Sequence, residues 1–308
     1  MDQVLLDDEV AAALAEMPPL VFNPDTVKVM RETGLAAPVQ LSDAVERTDH
    51  VVSEDPRVVV RVHRAKSETG TLPCLYSIHG GGYVIGSYDM DDAKFDQWCV
   101  SVPCVGVSVD YRLAPDTAYP GPLEDCYAGL KWTYDHAHEL GIDRDRIGIG
   151  GISAGGGLAA ALALLTRDRG AVPIAFQLLE CPMLDDRQRT SSSKLEGLPI
   201  WSRESNAYGW QSYLGDLYGG DDIPYTAAAA RADDLTGLPP AMVIVGGADG
   251  FRDEDIEYAL RLNQAGVQTA LHVLPGAPHG VQMFANSGVA KQWHQIVESW
   301  ITAKMRGS

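Results

Sequence analysis

Short apolar runs alternate with helical patterns along most of the chain, and this alternation is the feature that most constrains the fold. Continuous apolar runs are typical of strands buried on both faces, which occur in parallel sheets covered by helices. The predicted strands lie at residues 74–78, 102–109, 147–152, 174–179, 241–245 and 270–274. The predicted helices lie at residues 123–138, 154–168, 252–264 and 289–305. The sequence therefore predicts an α/β fold with a mostly parallel central sheet flanked by helices.

One long segment interrupts this alternation. Residues 187–238 contain no buried-strand run, and about fifty residues are too many for a simple loop. Aromatic side chains recur there, so we predict a helical cap insertion at 187–238, joined by an N-terminal helical part of the cap at 1–45. The α/β core is then predicted in two parts, at 46–186 and 239–308.

The N-terminal segment carries helix signals of its own. Asn23 followed by Pro24 is typical of an N-cap with proline at the first helical position, and Gly34 is expected to end that helix. A further helix is predicted at 8–17. Two strand-like runs follow, at residues 44–52 and 58–63.

Charge and cysteine content limit the partners and the compartment. The chain has 24 Lys and Arg against 42 Asp and Glu, a formal charge of -18. This balance argues against nucleic acid or an anionic membrane as partner, because both require basic surface. The sequence also lacks an apolar run of about 18 residues, so no membrane-spanning helix is predicted. Its five scattered cysteines indicate neither a disulfide framework nor a zinc site, and we expect a cytoplasmic protein.

A candidate nucleophile lies between a predicted strand and a predicted helix. The pentad Gly151-Ile152-Ser153-Ala154-Gly155 fits the pattern G-x-S-x-G. In this context the pattern predicts a nucleophile elbow, a tight turn that exposes the serine oxygen at the carboxyl edge of the sheet. The alternative is a structural serine in a glycine-rich turn.

A run of glycines follows an earlier strand. His79-Gly80-Gly81-Gly82 comes directly after the predicted strand at 74–78. Successive glycines let backbone N–H groups approach an oxyanion without steric hindrance. We expect Gly81, Gly82 and Ala154 to supply the oxyanion-hole amides. A phosphate-binding loop is the alternative, but no helix-opening G-x-G-x-x-G or G-K-S/T accompanies the run.

A serine nucleophile requires a base and an orienting carboxylate. His279 follows the last predicted strand and Asp249 follows the strand before it, so both are expected at the same edge of the sheet. Asp253 and Glu254 are alternative acids, although the first turn of a helix favours acidic residues for its dipole alone. The order Ser, Asp, His is that of α/β-hydrolases. No metal site is predicted.

Together these motifs resemble the hormone-sensitive-lipase-like carboxylesterases, bacterial family IV of the α/β-hydrolase superfamily. The resemblance spans residues 70 to 282 approximately. It rests on the segments 76–83, 110–115, 151–156, 249–254 and 279–280. It implies hydrolysis of carboxylic esters, usually with short acyl chains, and no cofactor. It also implies a cap and a possible homodimer formed through the edge strand nearest the catalytic histidine.

Three positions depart from the family pattern. Ile152 stands before the nucleophile, where one large branch has Asp; Asp116 stands where the family has Glu; and Val281 stands where Phe is frequent. We expect the smaller Val281 to loosen the local packing or to widen the site slightly.

The sequence thus predicts a serine hydrolase that cleaves short-chain carboxylic esters through an acyl-enzyme. A small-molecule ester is the expected partner. Tyr83, Trp201 and Tyr208 are candidate substrate contacts, with Trp210 and Tyr213 as further aromatic residues of the cap. Aromatic residues at helical spacing often form a small core instead. An amidase or lactone hydrolase on the same residues, and a catalytically silent ligand-binding protein, remain alternatives.

Overall fold

An eight-stranded sheet forms the centre of the computed structural model, which describes residues 4–18, 20–33 and 40–306. The strands are β1 (Val45–Glu54), β2 (Arg57–Ala65), β3 (Leu72–Ile78), β4 (Val105–Asp110), β5 (Ile142–Ile152), β6 (Gln177–Glu180), β7 (Ala241–Gly246) and β8 (Thr269–Leu274). Their order in the sheet is β1-β2-β4-β3-β5-β6-β7-β8. The pairs from β4 to β8 are parallel, whereas β2 pairs antiparallel with β1 and β4. The mostly parallel sheet predicted from the sequence is confirmed.

Helices cover both faces of this sheet. They are α1 (Asp8–Ala15), α2 (Pro24–Thr33), α3 (Asp92–Ser101), α4 (Gly121–Asp135), α5 (Ala154–Arg169), α6 (Arg203–Leu214), α7 (Arg252–Gln264) and α8 (Gly288–Arg306). Apolar side chains of α4, α5 and α7 pack in one core cluster, and those of α3 and α8 pack in another. Two clusters form because successive side chains of a strand point to opposite faces of the sheet. In β7, Val243 belongs to the first cluster, and its neighbours Met242 and Ile244 belong to the second.

Helix α3 has no counterpart among the predicted elements. Its buried side chains include Phe95 and Trp98, at helical spacing, but also the acidic Asp92. A carboxylate on a buried face obscures the apolar pattern that predicts a helix. It is tolerated here because His63 Nε2 lies 2.8 Å from Asp92 Oδ1 and Arg61 Nη1 donates to Asp92 Oδ2 at 2.9 Å.

The N-terminal helices contact different parts of the molecule. Asn23 caps α2, since its Oδ1 accepts the backbone N–H groups of Asp25 and Thr26, each at 3.0 Å. The predicted end of this helix at Gly34 lies outside the described residues. Helix α1 lies beside the loop after β8, where the N–H of Asp7 donates to the carbonyl of Gly276 at 3.0 Å.

The segment 187–238 is less helical than its length suggests. It contains one α-helix, α6, and three short 3₁₀ turns at Ser192–Lys194, Gly215–Leu217 and Ala229–Arg231. It contacts the N-terminal segment through Phe22, whose N–H donates to Ser205 Oγ at 3.3 Å and whose ring packs edge-on against Trp201, with 4.7 Å between centroids. None of the helices that the structure describes has the length and apolar character needed to cross a bilayer.

Candidate active site

The turn between β5 and α5 holds Ser153 in an unusual backbone conformation, with φ 57° and ψ −122°. Such angles are strained for a residue with a Cβ, and strain of this kind clusters at functional sites. The flanking glycines make the turn possible. A Cβ at Gly151 would lie 2.1 Å from the carbonyl oxygen of Gly155, and a Cβ at Gly155 would lie 2.1 Å from that of Ile78. Local sterics therefore explain the predicted pentad.

The three side chains predicted to act together form one hydrogen-bonded chain. Ser153 Oγ lies 2.9 Å from His279 Nε2, and His279 Nδ1 lies 2.8 Å from Asp249 Oδ2. The other carboxylate oxygen of Asp249 accepts the N–H of Phe251 at 2.9 Å. Asp249 is 1% exposed, and the other two residues are also buried. With Nδ1 donating to Asp249, Nε2 is free to accept the serine proton.

The two alternative acids have other partners. Asp253 accepts the backbone N–H of Ser192 at 2.7 Å and pairs with Arg252 at 2.8 Å. Glu254 Oε1 accepts the N–H of Leu184 at 2.9 Å and of Asp185 at 3.1 Å. Neither carboxylate is hydrogen-bonded to His279 in the described part of the chain.

The glycine turn after β3 lies beside Ser153. Gly81 and Gly82 both have positive φ, 110° and 61°. A Cβ at Gly81 would lie 2.2 Å from the carbonyl oxygen of Ile85, and one at Gly82 would lie 2.1 Å from the Trp201 ring. The turn also passes close to the nucleophile, because a Cβ at Gly80 would lie 3.4 Å from Ser153 Cβ. These positions require glycine, as expected for backbone that approaches a reacting group.

His79 is part of the support beneath this turn. Its Nδ1 lies 2.8 Å from the carbonyl oxygen of Gly80, and its ring stacks on Tyr111 with 4.2 Å between centroids. The Tyr111 hydroxyl donates to the His79 carbonyl at 3.0 Å. Burial lowers the pKa of His79 below its usual value, which favours a neutral ring that packs and fixes the loop.

Of the three candidate substrate contacts, Trp201 lies nearest to the catalytic side chains. Its ring contacts Gly82, and its centroid lies 6.2 Å from that of His279. Phe251 also packs edge-on against the imidazole, with 5.0 Å between ring centroids. The rings of Trp201 and Phe251 also line a small cavity together with Leu198 and polar side chains that include Arg203 and Asn206. Two aromatic side chains, Trp201 and Phe251, therefore lie beside the catalytic imidazole.

Tyr83 occupies a different position from the one expected of a substrate contact. It is 1% exposed, stacks on Tyr213 at 4.1 Å between centroids, and donates its hydroxyl to the Met183 carbonyl at 3.3 Å. The side chains of α6 cover its ring, so Tyr83 packs beneath the cap segment rather than facing a ligand. Tyr208 is half-buried, whereas Trp210 and Tyr213 are fully buried and belong to the core.

The loop after β6 supports the nucleophile in a way that the sequence did not predict. The N–H of Met183 donates to the Ser153 carbonyl at 2.9 Å, and Glu254 holds the next two amides of the loop. Burial raises the pKa of Glu254 well above its usual value. The sequence singled out Glu254 only for its position shortly after Asp249. Its hydrogen bonds to Leu184 and Asp185 join residues far apart in the chain, so the local sequence pattern could not predict them.

The structure places each of the three residues that depart from the family pattern. Asp116 pairs with Arg31 of α2 at 2.5 Å. Val281 is fully buried in the core cluster of α3 and α8. Its side chain packs into the core, and its effect on the local packing or on the width of the site stays a prediction. Ile152 is half-buried and packs at the edge of the same cluster.

Three potential metal ligands converge in the described residues. The ligand atoms of Cys181, Asp249 and His279 lie within 4.8 Å of one another. The last two already bond to each other, and burial raises the pKa of the Cys181 thiol well above its usual value, which disfavours the thiolate that binds metals. The geometry therefore suits a hydrogen-bonded pair rather than a cation.

Helix α7 also carries a buried carboxyl without a donor. Neither oxygen of Asp255 has a hydrogen-bond partner among the residues that the structure describes. Burial raises the pKa of Asp255 well above its usual value, and the neighbouring Glu254 and Asp249 add to the effect. The unfolded chain ionises at a lower pH than the folded one, so this group costs stability increasingly as pH rises from about 4 towards the folded-state pKa.

We predict that Asp255→Asn raises the melting temperature at pH 8, by about 2–5 °C, because the amide has no charge to bury. Near pH 4 the carboxyl is protonated in the folded state and about half protonated in the unfolded one, so the pH-dependent cost is small and the two melting temperatures should converge. Thermal unfolding followed by circular dichroism at both pH values measures this. A difference of equal size at the two pH values would show that the buried charge is not its cause.

Comparisons with known proteins agree with this architecture. A family model described as an α/β-hydrolase fold matches residues 75–283, more than half of the chain. The chain belongs to the α/β-hydrolase family. Within that family it is a member of the hormone-sensitive-lipase-like carboxylesterases, as its motifs predicted.

Similar members of this α/β-hydrolase family are esterases. Carboxylesterase NlhH of Mycobacterium tuberculosis is 35% identical over 286 residues, which cover 90% of this chain and 89% of the relative. Esterase LipI of the same organism is 38% identical over 217 residues, 69% of this chain and 67% of the relative. The solved structure of a bacterial heroin esterase is 41% identical, with a TM-score of 0.92 over 98% of this chain and 99% of that one.

Proposed function

We propose that this carboxylesterase cleaves short-chain esters through an acyl-enzyme on Ser153. The observation that carries the proposal is the continuous hydrogen-bonded chain from Ser153 through His279 to Asp249. Nucleophilic catalysis by serine requires this arrangement of a nucleophile, a base and a group that orients the base.

In the acylation step, Ser153 Oγ attacks the ester carbonyl carbon as His279 Nε2 takes the hydroxyl proton. Asp249 stabilises the resulting imidazolium and keeps the ring in the required tautomer. The tetrahedral intermediate then collapses, its bond to the alcohol oxygen breaks, and His279 returns the proton to the departing alcohol.

In the deacylation step, water attacks the acyl-enzyme with His279 as base, and the acid product leaves as Ser153 regains its proton. In both tetrahedral intermediates the carbonyl oxygen becomes an anion. We assign the amides of Gly81, Gly82 and Ala154 as its donors, because the glycine turn and the start of α5 both border Ser153. Losing one such donor costs about 3–4 kcal/mol in other hydrolases.

The substrate class we propose is a small acyl group on a larger, aromatic or apolar alcohol. The aromatic rings of Trp201 and Phe251 lie beside His279, with centroids 6.2 and 5.0 Å from that of the imidazole. Two relatives are named for particular substrates: the heroin esterase, and the versiconal hemiacetal acetate esterase of Dothistroma septosporum, 28% identical over 93% of this chain and 91% of the relative.

Initial hydrolysis rates on p-nitrophenyl esters of increasing acyl length test this substrate class. We expect kcat/KM to peak at acetate or butyrate and to fall by about tenfold or more at long chains, since each misplaced methylene in a filled site costs 1–3 kcal/mol. Faster cleavage of long-chain triglyceride emulsions than of these short esters would contradict the proposal.

The alternatives are less well supported. An amidase or lactone hydrolase would use the same side chains, but several similar proteins are named esterases. A silent binding protein has no need for a base in hydrogen-bond contact with a strained serine. Parallel assays with p-nitroacetanilide and γ-butyrolactone distinguish these activities, and rates above that for p-nitrophenyl acetate would favour an alternative.

We also propose a homodimer through the edge strand β8. Strand β8 is the last strand in the sheet, and two apolar side chains on one of its faces, Leu271 and Val273, are 39% and 38% exposed. An unpaired edge with apolar side chains readily pairs with another copy. We predict a dimer in sedimentation velocity and a monomer for Leu271→Lys; a monomeric wild type would contradict this.

A cytoplasmic location is proposed on the cysteines alone. All five are buried and unpaired, which suits a reducing compartment. Fractionation of the source cells tests it, and recovery of the chain outside the cytoplasm would overturn it.

A further inference from the structure

The guanidinium of Arg31 connects α2 to two loops of the core. Its Nε donates to the carbonyl of Val84 at 2.7 Å and its Nη2 to the carbonyl of Ala114 at 2.6 Å. Its Nη1 pairs with Asp116 at 2.5 Å. One side chain thus uses three donors on three acceptors that lie more than 50 residues away in the chain.

The two residues that supply these carbonyls are themselves hydrogen-bonded, through their backbone N–H groups, to the glycine turn or to the residue that follows it. The carbonyl oxygen of Gly81 accepts the N–H of Val84 at 3.0 Å, which closes the turn. The N–H of Ala114 donates to the carbonyl of Tyr83 at 2.9 Å. Arg31 therefore restrains the turn from the side of the N-terminal segment, while Tyr111 and His79 support it from the core.

The hydrogen bonds of Arg31 to the two carbonyls restrain the loops more than its ion pair with Asp116 does. The Asp116 side chain is 74% exposed, so its ion pair with Arg31 contributes little to stability. Hydrogen bonds from a guanidinium to partly buried carbonyls are charge-assisted and stronger. The planar fork reaches both carbonyls at fixed geometry, which a lysine ammonium on its single terminal atom cannot do.

We propose that Arg31 is a positioning residue that holds the glycine turn in its oxyanion-binding geometry; the proposal rests on the ester hydrolysis proposed above. Amide donors stabilise an oxyanion only when they are held within a few tenths of an ångström of the required place. The oxyanion exists in the transition state and not in the bound substrate. Loss of Arg31 should therefore lower kcat and leave KM nearly unchanged.

Arg167 offers a matched control. Its Nη1 also donates to two backbone carbonyls, of Asp234 at 2.8 Å and Thr236 at 3.2 Å, and its Nε also pairs with a carboxylate, Asp168. These contacts do not involve the glycine turn. Arg167→Ala therefore removes a similar set of bonds without touching the site, and Asp116→Asn removes only the ion pair of Arg31.

The experiment compares these variants in the full chain, with p-nitrophenyl acetate as substrate and trifluoroacetophenone as a ketone inhibitor that forms a tetrahedral adduct with a catalytic serine. For Arg31→Ala we expect kcat to fall about tenfold, less than for the loss of a whole oxyanion donor, with KM within about twofold. The inhibition constant of the ketone should rise by the same factor. Arg31→Lys should lie in between, and both controls should stay within about twofold of wild type in kcat.

The proposal is overturned if Arg31→Ala lowers the melting temperature but leaves kcat and the inhibition constant intact, or if it raises KM alone. Equal losses of kcat in Arg167→Ala would also overturn it. If Arg31→Ala fails to fold, Arg31→Gln, which retains one amide donor without charge, is judged by the same two constants. Failure of the proposed function itself would be seen in a different variant: Ser153→Ala would then hydrolyse the ester at the wild-type rate.

Discussion

Ser153→Ala is expected to lower kcat/KM for p-nitrophenyl acetate by a factor on the order of 10⁴–10⁶, because the nucleophile is lost and only the surrounding donors remain. The substitution removes one oxygen atom and keeps the Cβ, so the strained turn is no harder to form. We expect its melting temperature to stay within a few degrees of wild type. Initial rates at high enzyme concentration, with a circular dichroism spectrum as evidence of folding, measure the effect.

A control serine separates this loss from a general effect of removing hydroxyl groups. Ser101 lies at the end of α3, where its Oγ donates to Glu298 at 2.9 Å on the exposed surface. Ser101→Ala should retain activity within about twofold. Residual activity of Ser153→Ala above about one hundredth of wild type would exclude Ser153 as the nucleophile.

Asp249→Asn is expected to lower kcat by a factor of about 10³–10⁴ through the histidine tautomer. The N–H of Phe251 requires an acceptor, so the new amide must turn its oxygen towards Phe251 and its NH₂ group towards His279. That NH₂ group can only donate to Nδ1, which moves the imidazole proton to Nε2. A protonated Nε2 cannot accept the proton of Ser153.

Asp253→Asn is the matched control, because its carboxylate lies close in sequence but bonds to Ser192 and Arg252. We expect its kcat to stay within about threefold of wild type. Steady-state kinetics of the two variants side by side measure the contrast. Comparable losses in both would mean that the acid of the site has been misassigned.

The sequence predicted those parts of the site that local rules determine. The elbow around Ser153 follows from sterics, since close backbone contacts leave no room for a Cβ at Gly151 or Gly155. Asp249 and His279 could be placed because each follows a strand of a parallel sheet, and the carboxyl ends of such strands meet at one edge.

Features that depend on distant contacts could not be predicted in the same way. Tyr83 was predicted as a candidate substrate contact, yet side chains of α6, more than a hundred residues later, cover its ring. Helix α3 was missed because Asp92 interrupts its apolar face and finds its partners on β2. Arg31 gave no signal in the sequence, since the two acceptors that matter most are the backbone carbonyls of Val84 and Ala114, which any residue type can supply.

Covalent trapping of the nucleophile tests the central claim most directly. Incubation with the organophosphate diethyl p-nitrophenyl phosphate, followed by intact-mass measurement and peptide mapping, reports which side chain is activated. We predict one adduct per chain, on the peptide that contains Ser153, with activity lost in proportion to labelling. Hydrolysis that persists in fully labelled protein, or an adduct on a different residue, would contradict it.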